Sequence, residues 1–424
     1  MLSQSQQNKI AAWPSWMFVL YASVSAFVVY ACMYGFRKPF TSASYDSYTL
    51  FGISYKVVLV ISQVVGYTIS KFIGIRFIAT MDPSKRAANI LKLIFISWIS
   101  LLCFGIVPAP YNFIFMFING LPLGMIWGLV FGFLEGRKAT ELMGAILATS
   151  FIFASGLAKT AGKWVVQQLH ITEFWMPFAT GALFIIPLFL STLMLNRIPA
   201  PSAEDIAERT HRKPMNREER RAFLEKFATA LIPVIIAYVM LTILRDFSED
   251  FANELWTETG YAGNAEIFAQ TSSITSVFIL AVVGGFFLIK NNHRAFQLNH
   301  TIIIAGFTMA AIFTLLFQLG LVSPLVWMIS ATSGVYLGYV PYNCFYFERM
   351  LATYKVEGNV GFVMYIADAF GYLGTVVVLL VKEFVHLQYS WVNFFSLLFY
   401  MSAAAGVLLV SAGKLKHLKL YQQQ

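Results

Sequence analysis

Apolar runs of about 20 residues, the length a helix needs to cross a bilayer core, recur along the whole chain. Twelve can be marked in the 424 residues: Trp16–Thr41, Gly52–Phe77, Ala88–Val107, Tyr111–Leu134, Leu142–Gln167, Phe174–Asn196, Phe227–Phe247, Ile267–Ile289, Thr301–Gly320, Pro324–Phe347, Val360–Val381 and Trp391–Ala412. Six fall on each side of one long polar segment, Arg197–Glu225, rich in Asp, Glu and Arg. Only 12% of residues are charged, against roughly 25% in a water-soluble globular chain. That shortage of polar cover excludes a soluble enzyme, a disordered chain and a nucleic-acid-binding module. The expected fold is an all-α membrane protein of twelve transmembrane helices. Residues 1–196 and 226–424 form two pseudo-symmetric six-helix bundles, and 197–225 is a linker. Cys32, Cys103 and Cys344 all lie inside apolar runs, with neither a disulfide framework nor a metal-ligand spacing. No metal or other cofactor is expected.

The formal charge of +9 acquires its meaning from where the basic residues stand. Arg76, Lys85 and Arg86 follow the second span, Arg137 and Lys138 the fourth, and the linker the sixth. Lys290, Arg294, Arg349, Lys355, Lys414, Lys416 and Lys419 continue the pattern. The opposite loops carry little that is basic, and the one after the seventh span is acidic: Glu249, Asp250, Glu254, Glu258 and Glu266. This is the positive-inside asymmetry with both termini cytoplasmic. The charge is a topology signal, and the partner it implies is a lipid bilayer, not nucleic acid.

The two halves also repeat. Tyr30 precedes Arg37 by seven residues and Tyr238 precedes Arg245 by seven, at an offset of 208. Glu135 and Thr140, near the end of the fourth span, match Glu348 and Thr353, near the end of the tenth, at an offset of 213. A parallel repeat of two bundles follows.

Arginine at the centre of a membrane helix costs roughly 2.5–3.5 kcal/mol on insertion scales. Arg37 stands 21 residues into the first span and Arg245 18 into the seventh. Either could snorkel to the outer surface beside Lys38 or Asp246. The other reading rests on geometry. Tyr30, Tyr34 and Arg37 share one helical face at i, i+4, i+7, as do Tyr238, Thr242 and Arg245. Two such faces would offer guanidinium forks and hydroxyls to a small anion such as a phosphate or carboxylate. Lys71 and Lys159 are further cations for that site. Asp368, the deepest acid, would pair with a cavity cation or carry a proton, and Glu249 is a second acid for coupling or charge pairing. Motifs of metalloproteases and P-loop ATPases are absent, so neither an enzyme nor an ATP-driven pump is expected.

The segment Tyr34-Gly35-Phe36-Arg37-Lys38-Pro39-Phe40 resembles the tyrosine-rich Arg-Lys segment in the first helix of organophosphate:phosphate antiporters, a major facilitator family that includes glycerol-3-phosphate and hexose-phosphate carriers. Gly66-Tyr67-Thr68-Ile69-Ser70-Lys71-Phe72 is similar to that family's second-helix segment, and Phe370-Gly371-Tyr372-Leu373-Gly374 is similar to its eleventh. Thr242-Ile243-Leu244-Arg245-Asp246 falls where the family has its second phosphate-binding arginine. The resemblance implies a major facilitator fold, a phosphate clamped by Arg37 and Arg245, and an assisting Lys71. Two departures stand out: Phe153 replaces a histidine of the fifth helix, and Trp127-Gly128-Leu129 replaces a tryptophan-proline-proline run. The chain is also similar to an uncharacterised branch of bacterial facilitator-like proteins, which leaves other organic anions open.

The expected function is alternating-access transport of a small organic anion, a phosphate ester exchanged for phosphate, across a bacterial inner membrane. Proton-coupled symport of a carboxylate-type anion and a transporter-like ligand sensor without flux are the alternatives. A monomer is the default for this architecture. A reporter fused within residues 249–266 should be active only on the outer side of the membrane; cytoplasmic activity would contradict the topology.

Overall fold

A computed structural model of the chain describes residues 4–79, 81–202, 205, 217–286, 288–356, 361–384 and 390–423. Most of the expected linker, at 203–204 and 206–216, lies outside the described residues. The chain is an all-α membrane protein. After the short α1 (Gln4–Ala11) come α2 (Ser15–Tyr34), α3 (Tyr55–Ala79), α4 (Arg86–Ile106), α5 (Phe113–Leu123), α6 (Ile126–Phe131), α7 (Thr140–Leu169) and α8 (Met176–Asn196). They are followed by α9 (Arg217–Asp250), α10 (Ala252–Glu258), α11 (Glu266–Phe286), α12 (Asn292–Gln318), α13 (Pro324–Pro341), α14 (Phe347–Tyr354), α15 (Gly361–Phe384) and α16 (Trp391–Gln422). Among the described residues, ten helical stretches are long and apolar enough to cross a bilayer.

Breaks occur where the backbone chemistry changes. The first span was expected to run as one helix to Thr41, but α2 stops at Tyr34. Gly35 follows, and Pro39 opens a short 3-10 turn, Pro39–Ser42. Proline has no N–H to give and disfavours helical backbone in the residue before it. Arg37 therefore lies beyond the helix, not on its face. The fourth expected span likewise divides at Gly124, between α5 and α6. The tenth passes through a π turn at Tyr342–Tyr346, directly after Pro341.

The chain divides into two compact units. Unit one comprises Met1–Arg209, Glu249–Ser276 and Leu379–Leu387; unit two comprises Thr210–Ser248, Val277–Val378 and Gln388–Gln424. In unit one, α3 and α5 approach through glycine. A Cβ on Gly66 would collide with the Phe117 carbonyl, and one on Gly120 with the Gln63 carbonyl. Small residues permit this closeness, which is how membrane helices gain packing energy in the absence of a hydrophobic drive.

Unit one is also stapled by charge. Lys38 is ion-paired with Asp250, both nearly buried. Lys56 reaches the two carboxylate oxygens of Glu254 at 2.5 and 2.7 Å. Lys159 holds Glu249 at 2.7 Å, and Lys163 donates to Asn253 Oδ1 at 2.6 Å. Three of the five acids that the sequence places in an acidic outer loop are thus partners of Lys38, Lys56 and Lys159. Burial pushes the Glu254 carboxyl above the usual carboxylate range even with Lys56 beside it. The pair is therefore held by its geometry against a real desolvation cost.

Removing one partner strands the other. Lys56→Met should destabilise the protein by roughly 3–5 kcal/mol, because it leaves an uncompensated buried carboxylate. The double variant Lys56→Met with Glu254→Leu should recover most of that loss in detergent unfolding. Equal losses in the single and double variants would show that the pair is not coupled.

Candidate functional site

In unit one the tyrosines and cations of the first two spans gather around one ring. Arg37, 6% exposed, lays its guanidinium carbon 4.0 Å from the centroid of Tyr67 and 5.7 Å from that of Tyr34. The Lys71 ammonium stands 5.4 Å from the same Tyr67 ring, one helical turn along α3. Tyr30 packs against Tyr34 at 5.7 Å and against Trp127 at 5.1 Å between centroids. Four of the residues singled out from sequence, Tyr30, Tyr34, Arg37 and Lys71, are therefore brought together. Tyr67, which organises them, had been read only as part of a motif. A guanidinium over an aromatic face gains roughly 0.5–2 kcal/mol depending on desolvation.

Lys159 lies elsewhere in unit one. Its ammonium donates to the Glu249 carboxylate at 2.7 Å and to the Glu249 carbonyl at 2.9 Å, and the Ser155 hydroxyl donates to the same carboxylate. Glu249 is thus the partner of Lys159, in a structural charge pair of the kind formed by Lys38 and Lys56.

Unit two builds around a different ring. Arg245 remains inside the unbroken helix α9, with its guanidinium carbon 4.3 Å from the Tyr339 centroid and 5.7 Å from that of Tyr372. Tyr238 stacks on the same Tyr339 at 5.2 Å, and its hydroxyl donates to Asp368. Tyr238, Arg245 and Asp368 are thereby joined through a ring that sequence reasoning did not single out. Asp246 accepts from Arg245 Nε at 3.0 Å and Nη2 at 2.5 Å, and its other oxygen accepts from Thr375 at 3.0 Å. Asp368 thus accepts from the Tyr238 hydroxyl, and Asp246 is in direct contact with Arg245.

Each arginine lies on a tyrosine face, and Arg245 also holds a carboxylate on its Nε–Nη2 edge. The offset between halves extends to packing: Gly120 and Gly334 are 214 residues apart, and both permit close backbone approach, Gly334 to the Gly306 carbonyl. Among the described residues, no group of three or more His, Cys, Asp or Glu is placed to hold a metal ion.

The chain is similar to several solved transporters. The xylose transporter XylE from E. coli is 14% identical with a TM-score of 0.59, over 93% of this chain and 94% of that one. A bacterial homologue of the human drug peptide transporters PepT1 and PepT2 is 12% identical with a TM-score of 0.61, over 96% and 99%. The human organic anion transporter MFSD10 is 13% identical with a TM-score of 0.55, over 93% and 100%. At these identities the likeness shows the fold alone, the one shared with these transporters. No curated protein matches the sequence. The model of a family of unknown function, DUF5690, matches residues 39–417, and the chain belongs to that family.

Proposed function

We propose that this protein is a secondary transporter that moves a small organic anion by alternating access, with Arg37 and Arg245 as the residues that meet the anion. In this reading residues 1–196 and 226–424 are the two bundles, and both termini face the cytoplasm of a bacterial inner membrane. The observation that carries the proposal is the same in each half: a nearly buried arginine laid on a tyrosine face, Arg37 on Tyr67 and Arg245 on Tyr339. An arginine that merely snorkelled would extend towards the headgroups; these lie against rings of the helical core. Lys71, 5.4 Å from the Tyr67 ring centroid, supplies a further positive charge. A phosphate ester exchanged for phosphate suits such a site, because three or more acceptor oxygens can share two planar forks. The solved proteins it resembles are transporters of xylose, of peptides and of organic anions, and they support transport as the class.

One observation favours a second reading. Asp368 is 8% exposed and is bound by the Tyr238 hydroxyl beside the Arg245 cluster. In this second reading Asp368 is the coupling residue, and the same cluster would serve proton-coupled symport of a carboxylate-type anion. Glu249, tied to Lys159, fits a fixed pair better than a proton carrier.

Lysine cannot reproduce the guanidinium fork. Arg37→Lys and Arg245→Lys should each weaken binding of inorganic phosphate by about tenfold or more, the loss expected for one charge-assisted contact. Expression and unfolding temperature should be unchanged, and the double variant should lose less than the sum because the two share a ligand. Undiminished phosphate binding in both single variants would remove the anion site.

A further inference from the structure

Arg37 stands on backbone that has left the helix, and its position depends on whatever holds that backbone. We propose that the buried amides Gln63 and Asn119 are positioning residues that fix the broken end of α2 and so present Arg37 in one place. This rests on the reading of Arg37 as an anion-binding residue.

Past Tyr34, Phe36 and Arg37 have carbonyl oxygens that in a continued helix would accept from Phe40 and Thr41. The turn at Pro39 prevents this. Asn119 Nδ2 donates instead to the Phe36 carbonyl at 3.0 Å, and Gln63 Nε2 to the Arg37 carbonyl at 3.0 Å. The two amides are joined to each other, Gln63 Nε2 to Asn119 Oδ1 at 2.7 Å. Asn119 gives its remaining proton to Ser97 Oγ at 2.5 Å. Turning the Asn119 amide over would set its oxygen against the Phe36 carbonyl and its nitrogen against the Gln63 nitrogen, so the network admits one orientation.

Gln63 is 3% exposed, and Asn119 and Ser97 are fully buried. Three helices, α3, α4 and α5, thus converge on two consecutive carbonyls. Gly120, next to Asn119, admits the Gln63 carbonyl where any side chain would collide, which brings the two amides within reach. Amides of this kind are expensive in a membrane interior unless every group is matched, and here each proton has a taker. At Arg245 in unit two the helix is unbroken and Asp246 holds the guanidinium itself. The amide pair thus positions Arg37 through its backbone, and Asp246 positions Arg245 through its charge.

Hydrogen exchange and phosphate binding on the full-length protein test this together. Gln63→Met and Asn119→Leu, close in size and unable to donate, should each speed exchange of residues 35–42 by about tenfold, with residues 140–169 unchanged. Both should weaken inorganic phosphate binding by about tenfold, since Arg37 is no longer fixed. Ser97→Ala is the milder variant should either of these fail to fold. It should raise exchange of 35–42 by about threefold, and Ser97→Thr, which keeps the hydroxyl, should restore it. Arg37→Lys should lose phosphate while 35–42 keeps its wild-type exchange. Unaltered exchange of 35–42 in the folded variants overturns the proposal, and so does faster exchange with full phosphate affinity. Faster exchange in a protein whose wild type binds no phosphate upholds the anchoring of the segment and removes the anion reading instead.

Discussion

A backbone carbonyl inside a bilayer has no water to accept from, so a helix can stop there only where other groups replace the bonds it gives up. That constraint governs the segment from Gly35 to Ser42. Proline at position 39 ends the helix, and the freed carbonyls are taken up one by one: Phe36 by Asn119, Arg37 by Gln63, Lys38 by the Thr41 hydroxyl and Thr41 by Lys56. Lys56 in turn carries Glu254, and Lys38 carries Asp250. The charge pairs that bind residues 249–258 into unit one therefore hang from the same interruption that presents Arg37.

The cost of burying charge explains the difference between the halves. Each arginine needs compensation in a poorly polarisable interior. Arg37 lies on Tyr67 and is placed by its own main chain; Arg245 lies on Tyr339 and is held by Asp246, which Thr375 also binds. Both arginines have an aromatic support, from different spans, and Asp246 holds one of them directly.

Much of this was legible in the chain itself. Apolar runs identified the helices, and the matched Tyr30/Arg37 and Tyr238/Arg245 pairs pointed to residues that do gather around shared rings. The signs of the helix stop were present too, in Gly35 and Pro39, but an apolar run that continued to Thr41 concealed them, because hydropathy does not register backbone hydrogen bonding. Gln63 and Asn119 were visible as amides within apolar spans, with nothing local to indicate that they meet. Glu249, Asp250 and Glu254 read as an acidic outer loop, and their lysine partners went unnamed because these lie between 90 and 212 residues away and long-range pairing leaves no periodic mark. The tyrosine partners Tyr67 and Tyr339 were hidden among the many aromatic residues that line membrane helices.

Exchange itself is the most direct measurement of the central claim. In proteoliposomes loaded with inorganic phosphate, external labelled phosphate or a phosphate ester should accumulate in proportion to the internal phosphate. That counterflow should persist when the pH gradient is collapsed, and a carboxylate probe should not replace the phosphate. Uptake that appeared only with an inward proton gradient would contradict exchange and favour the route through Asp368. Ligand binding with no flux under either condition would contradict transport altogether.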